Sequence, residues 1–150
     1  MDYLYIFRRD HVHYEGVRRI NIYLLRLLYL LMFAVMGHTA WSFILNDIST
    51  VGPREAVIWS VWGAFAIMAF LGLFKPLKML PVLLLEIVYK VTWLITVAYP
   101  LWSRDQLAGS EAEGLVEVFI PVVLAIVAMP WGYAVKHYIY QPKAAATASA

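Results

Sequence analysis

Four long apolar runs dominate this chain, and no other feature restricts its fold as strongly. A bilayer core is roughly 30 Å thick, so a helix rising ~1.5 Å per residue needs about 20 apolar residues to cross it. The first run extends from about Ile20 to Leu45 and carries Arg26 and His38. A polar break over 46–52 follows. Pro53 suits the first helical position of the second run, where its missing N–H is not needed, and Glu55 suits the first turn. That run covers about Arg54 to Phe74. The turn Lys75-Pro76-Leu77-Lys78 separates it from a third run, about Met79 to Trp102. Residues 103–114 read as a solvated loop with Asp105, Glu111 and Glu113, and a fourth run covers about Leu115 to Tyr140. Pro121 and Pro130 each remove a helix N–H from the fourth run and are expected to kink it.

Apolar residues make up 63% of the 150, against roughly 45–50% in soluble domains. A chain this short cannot hide that excess in a core, which excludes a water-soluble globular enzyme as well as a disordered chain. With no cysteine there is no disulfide, thiolate metal site or cysteine nucleophile. A net charge of +2 offers nothing for nucleic acid to bind, and no nucleic-acid partner is expected.

The distribution of charge says more. Arg8, Arg9, Arg18, Arg19, Lys75, Lys78, Lys136 and Lys143 fall on one side of the four runs, and only Arg54 and Arg104 on the other. Cytoplasmic loops carry the excess of Lys and Arg. The expected fold is therefore an all-α membrane protein, an antiparallel up-down-up-down bundle of four transmembrane helices with both termini cytoplasmic. Its expected location is a bacterial cytoplasmic (inner) membrane, as a multi-pass protein. The first run is too long for the apolar part of a signal peptide and is broken by Arg26, so it should be retained. Segment 1–19 reads as interfacial, its arginines meeting anionic headgroups while Tyr3, Ile6 and Phe7 dip inward. The low-complexity stretch 143–150 reads as a flexible tail.

Ionisable groups at membrane depth cost about 2.5–3.5 kcal/mol on insertion scales, so each is a functional hypothesis. Glu86 and Lys90 are spaced i, i+4 with the acid first, the favoured order for a helical pair. Arg26 enters from the same side at a depth close to Glu86 and is expected to cross over to it. This intramembrane cluster of Arg26, Glu86 and Lys90 could fix helix register or form a proton or headgroup site. His38, Tyr99 and Glu117 form a second, outer polar layer, with neutral His38 expected to bond Glu117, Tyr99 or a backbone carbonyl. Lys90 and Thr92 point to opposite sides of their helix, so no continuous polar stripe joins the two layers. A two-histidine haem needs a partner for His38 at matching depth. His137 lies at the other end, and no haem or other cofactor is expected. His11 and His13 would share one face of an extended segment, but two ligands make a poor metal site, and none is expected. No zinc-protease, nucleophile-elbow or phosphate-loop motif is present. Gly63, Ala64, Ala66, Ala69 and Gly72 make the second run a packing helix, since small residues let membrane helices approach closely.

The stretch from Lys75 to Pro81, then Leu84-Leu85-Glu86 and Lys90-Val91-Thr92-Trp93-Leu94, resembles a group of small bacterial four-helix membrane proteins. The segment Pro130-Trp131-Gly132-Tyr133 is similar to theirs too. That resemblance implies the four-helix fold and no particular activity. By architecture alone the chain is similar to DoxX-type membrane proteins. The expected role is non-enzymatic: binding or assembly, in contact with membrane lipids, a lipid or quinone-like ligand, a homo-oligomer or a larger membrane complex. One alternative is a small proton- or ion-coupled transporter or channel using Glu86, Lys90 and His38. Another is an intramembrane enzyme modifying a lipid or isoprenoid. A kinked fourth helix beside Glu117 would open the best place for such a ligand.

Overall fold

The computed structural model describes residues 9–12 and 14–140. Arg8, His13, Lys143, the aromatic start of the chain and the tail 143–150 lie outside the described residues. The chain is mostly helical. Helices α1 (Arg19–Asn46), α2 (Pro53–Phe74) and α3 (Leu80–Ser103) are each long and apolar enough to cross a membrane. Helix α4 (Glu111–Ala128) is followed by α5 (Trp131–Tyr138), bent from it by 75°, so the fourth apolar run is a broken span or a re-entrant segment. Only 28%, 22% and 28% of the most apolar windows of α1, α2 and α3 are buried. Leu27, Val57, Ile58, Ile67, Val88 and Ile95 instead form an exposed apolar girdle. Water would not tolerate so much apolar surface on one molecule, whereas lipid would.

Helix α1 packs along α2 and also against α4, while α3 packs against α4 and more lightly against α2. In lipid little hydrophobic force draws helices together, so close contact has to come from small residues. Gly63, Ala66, Ala69 and Gly72 of α2 are all buried, as the small-residue stripe predicts, whereas Ala64 is exposed. Tyr29 of α1 lies flat on Gly72, where an added Cβ would come within 2.6 Å of the ring. The Tyr29 hydroxyl reaches over α2's end and donates to the Pro76 carbonyl at 3.1 Å. With Ile22, Leu25, Leu80 and Leu83, Tyr29 is among the most completely buried side chains. The tightly packed core thus sits in the half of the bundle next to the 75–79 turn.

Proline sets the breaks. Pro53 and Pro81 occupy first-turn positions of α2 and α3, where no N–H is needed. Pro121 interrupts α4 at a turn over 120–121. Met129, which precedes Pro130, is pushed to extended backbone (φ −61°, ψ 124°), and there the chain bends. The carbonyls freed by the bend find side-chain donors. Trp131 Nε1 donates to the Ile126 carbonyl at 2.9 Å, the acceptor that the missing Pro130 N–H would have used, and Asn21 Nδ2 donates to the Ala128 carbonyl at 3.0 Å. The kink is as expected from the prolines, but its depth makes two helices of the 115–140 run.

Two other segments differ from the sequence reading. α4 begins at Glu111, not near Leu115, so Glu111 and Glu113 are not loop acids but stand in its first turn, where the helix dipole favours them. Glu113 reaches back to accept the Gly109 N–H at 2.8 Å, much as a capping box does. Before α1 the chain forms a short hairpin of β1 (Arg9–Asp10) and β2 (Val17–Arg18), with Asp10 opposite Val17. Its turn needs Gly16, which has φ +82° and where an added Cβ would come within 2.9 Å of the His11 ring. Asp10 then holds the start of α1 through Arg19, Oδ2 to Nη2 at 2.8 Å.

The Gly72–Tyr29 contact makes a direct prediction. Gly72→Ala should destabilise the protein by about 1–3 kcal/mol, the usual cost of overpacking. Gly114→Ala, where an added Cβ meets nothing within 4 Å, should leave stability unchanged or slightly raised. Thermal unfolding in a mild detergent separates the two variants.

Candidate functional site

Glu86 and Lys90 lie on the inner face of α3, one helical turn apart, and their side chains meet. Lys90 Nζ donates to Glu86 Oε1 at 2.7 Å, and the residues are only 9% and 6% exposed. Lys90 also lies over the ring of Phe119 on α4, 5.5 Å from its centroid, a geometry in which the electron-rich face attracts the cation. Phe119 in turn packs edge-on against Tyr89 at 5.7 Å and Trp93 at 5.0 Å. The ion pair therefore stands on an aromatic floor contributed by α3 and by the last full turn of α4 before the Pro121 break.

Both charged residues line a cavity of about 460 Å³ between α1, α3 and α4. Its other walls are almost wholly apolar: Leu28, Met32 and Met36 from α1, and Phe119, Val122 and Ala125 from α4. Two features of the backbone shape it. α1 widens to a π turn over Met32–Met36 that faces the space, and such turns frequently mark functional sites. α4 is interrupted at Pro121, itself part of the wall. Thr39 also lines the cavity, but its hydroxyl already donates to the Val35 carbonyl at 3.0 Å. Among the described residues, Glu86 Oε2 and the two further Nζ hydrogens of Lys90 have no partner. The site thus offers one acceptor and two donors at the wall of a space otherwise suited to hydrocarbon. The volume falls within the ~300–1,000 Å³ of small-molecule pockets.

The remaining site expectations fare unequally. Arg26 does not cross to Glu86. Among the described residues it makes no ion pair, and its Nε is buried without a hydrogen-bond partner. The i, i+4 spacing already satisfies Glu86 within α3, so the contact between helices is not required. The outer layer does not assemble either. His38 is exposed and bonds none of its expected partners, Glu117 is exposed, and Tyr99 is 61% exposed with its ring 6.1 Å from that of Trp102. His11 is exposed at the hairpin, His13 lies outside the described residues, and among the described residues no three His, Asp or Glu converge as metal ligands. Sequence reasoning missed Phe119, Tyr89 and the methionines of α1. The Pro121 break was the one available signal for that wall.

Comparison with protein-family models, curated proteins and solved structures finds no match for this chain. The resemblance to small bacterial four-helix proteins therefore rests on the quoted residues alone.

The buried pair should behave as a unit. Glu86→Leu strands a buried ammonium and should cost on the order of 3–5 kcal/mol. Glu86→Leu combined with Lys90→Leu should recover most of that loss. The checking measurement is a double-mutant cycle of thermal stability in detergent, and a double variant no better than the single would refute the pairing.

Proposed function

We propose that this chain is a non-enzymatic integral membrane protein that holds a lipid or quinone-like molecule in the cavity between α1, α3 and α4. The observation that carries this reading is an ion pair with unused hydrogen-bonding capacity at the wall of an apolar cavity. An isoprenoid or acyl chain would lie against Met32, Met36, Val122 and Ala125. A carbonyl or hydroxyl at its end would accept from Lys90 or donate to Glu86. Glu86 and Lys90, the ionised groups of the lining among the described residues, already neutralise each other, which favours a neutral polar end over a charged one. Among the described residues the other hydroxyls of the lining are those of Thr39, already donated to the Val35 carbonyl, and Tyr89, and no nucleophile is hydrogen-bonded to a base there, so binding is favoured over turnover.

The chain would cross a bacterial cytoplasmic membrane four times, α4 with α5 serving as the last span, with both termini on the cytoplasmic side. The eight-to-two bias of Lys and Arg supports that orientation. Exposed His38 and Glu117 would then face lipid or a second subunit, which supports an oligomer or a larger complex. Transport is the weaker reading because His38 is exposed and is not part of the lining beside the buried Glu86–Lys90 pair, and a proton does not cross an apolar gap unaided.

Two measurements test this. Cysteines placed at Ser49 and Ser110 should react with an impermeant maleimide from the periplasmic side of intact spheroplasts. Reaction only after permeabilisation would invert the orientation. Protein purified in mild detergent should carry a stoichiometric isoprenoid or lipid identifiable by mass spectrometry. Val118→Trp, which fills the cavity from an exposed position on its wall, should lower that occupancy at least severalfold with the fold intact.

A further inference from the structure

A second cavity, of about 470 Å³, lies at the end of the molecule where the hairpin meets α5. Unlike the first it is bordered largely by polar groups. Two cations reach it from distant parts of the sequence, Arg18 of β2 and Lys136 of α5. Neighbouring charges are already engaged. Asp10 is held by Arg19 at 2.8 Å, and Glu15 accepts the Tyr133 hydroxyl at 3.2 Å. Of the other side-chain donors in the wall, Asn21 is spent on the Ala128 carbonyl and Trp131 on the Ile126 carbonyl, while the His11 ring lies beside Gly16. Arg18 and Lys136, both exposed, have no ion pair among the described residues. Arg18 and Lys136 outnumber the one carboxylate of the recess, Glu15, so a net positive charge is left for an anion to neutralise.

The sum of Arg18, Lys136 and Glu15 is a single positive charge, which matches a phosphodiester, with one negative charge, better than a doubly charged phosphomonoester. We propose that this recess binds the phosphodiester headgroup of an anionic phospholipid from the cytoplasmic leaflet. The guanidinium of Arg18 would take two phosphate oxygens side by side, with the Lys136 ammonium as a point charge opposite. Trp131, 44% exposed on the rim, is the residue type that settles at the headgroup level of a bilayer. The 75° bend creates the site, because a straight continuation of α4 would not turn α5 toward the hairpin. The inference rests on the chain being membrane-embedded and is independent of what fills the inner cavity.

The test uses the full chain reconstituted in nanodiscs of phosphatidylcholine containing one tenth phosphatidylglycerol, with retained lipids counted by native mass spectrometry. The wild type should retain phosphatidylglycerol preferentially. Arg18→Ala with Lys136→Ala should lose that preference by roughly thirtyfold, as expected for two basic groups near a membrane surface. Arg18→Lys with Lys136→Arg should keep most of it. Arg54→Ala with Arg104→Ala removes the same charge from the opposite end and should change nothing. Equal retention of both lipids by the wild type, or equal losses in the two alanine pairs, would overturn the proposal. So would displacement of the bound lipid by millimolar soluble glycerophosphate, which would mark a site for a free phosphate ester. A chain that cannot be held in any bilayer would sink the membrane reading itself, whereas normal phosphatidylglycerol retention by Val118→Trp keeps the two cavities' fates separate.

Discussion

A carboxylate and an ammonium 2.7 Å apart, buried on α3, set the terms for much of this molecule. Charges at membrane depth are costly, and the cost falls when each finds its opposite. Glu86 and Lys90 do so within one helix, which leaves the neighbouring helices free of any duty to supply a partner. They are free to be apolar, and they are: methionines and leucines from α1, small residues and Phe119 from α4. The pair can therefore stand at the wall of an apolar cavity without being cancelled by other polar groups, and its unused donors and acceptor face that space.

The rest of the architecture divides into a closed half and an open half. Near the 75–79 turn, Tyr29 lies on Gly72 and the layer of Leu25, Leu80 and Leu83 is fully buried. Farther along, the π turn of α1 and the Pro121 break in α4 stop those helices from packing to the same density. Irregular backbone is tolerated at membrane depth only where it is buried or lines a cavity, and here it lines one. The second break, at Pro130, is handled differently. Its freed carbonyls are taken by Trp131 and Asn21, and the bent-off α5 closes against the hairpin, with a polar recess between them.

Much of this is legible in the sequence, for reasons that can be named. Helices α1, α2 and α3 follow from run length, and Pro53 marks a start because proline is tolerated there. The Glu86–Lys90 contact follows from i, i+4 geometry alone, and the burial of Gly63, Ala66, Ala69 and Gly72 from their spacing along one face. What could not be read depends on distant contacts. Phe119 beneath Lys90 and the failure of Arg26 to meet Glu86 both depend on how α3, α4 and α1 face one another, which no local pattern encodes. The hairpin strands are two residues each, too short for any alternation to show. The early start of α4 had a signal, Ser110-Glu111-Ala112-Glu113, a capping sequence hidden within what reads as an acidic loop. Comparing the depths of Arg26 with Glu86, or His38 with Glu117, placed groups in layers but said nothing about the direction in which each side chain leaves its helix.

The central claim is that the Glu86–Lys90 pair serves a ligand in the cavity beside it, and density at that place decides the matter most directly. The measurement is a structure determined in nanodiscs supplemented with a brominated ubiquinone analogue and, separately, a lipid brominated on its acyl chain. The account predicts one elongated molecule between α1, α3 and α4, with an oxygen within hydrogen-bond distance of Lys90 Nζ or Glu86 Oε2 and bromine signal beside Met36 or Val122. A cavity closed by helix movement, or bromine confined to the outer surface of the bundle with both charged groups bonded only to each other, would contradict it.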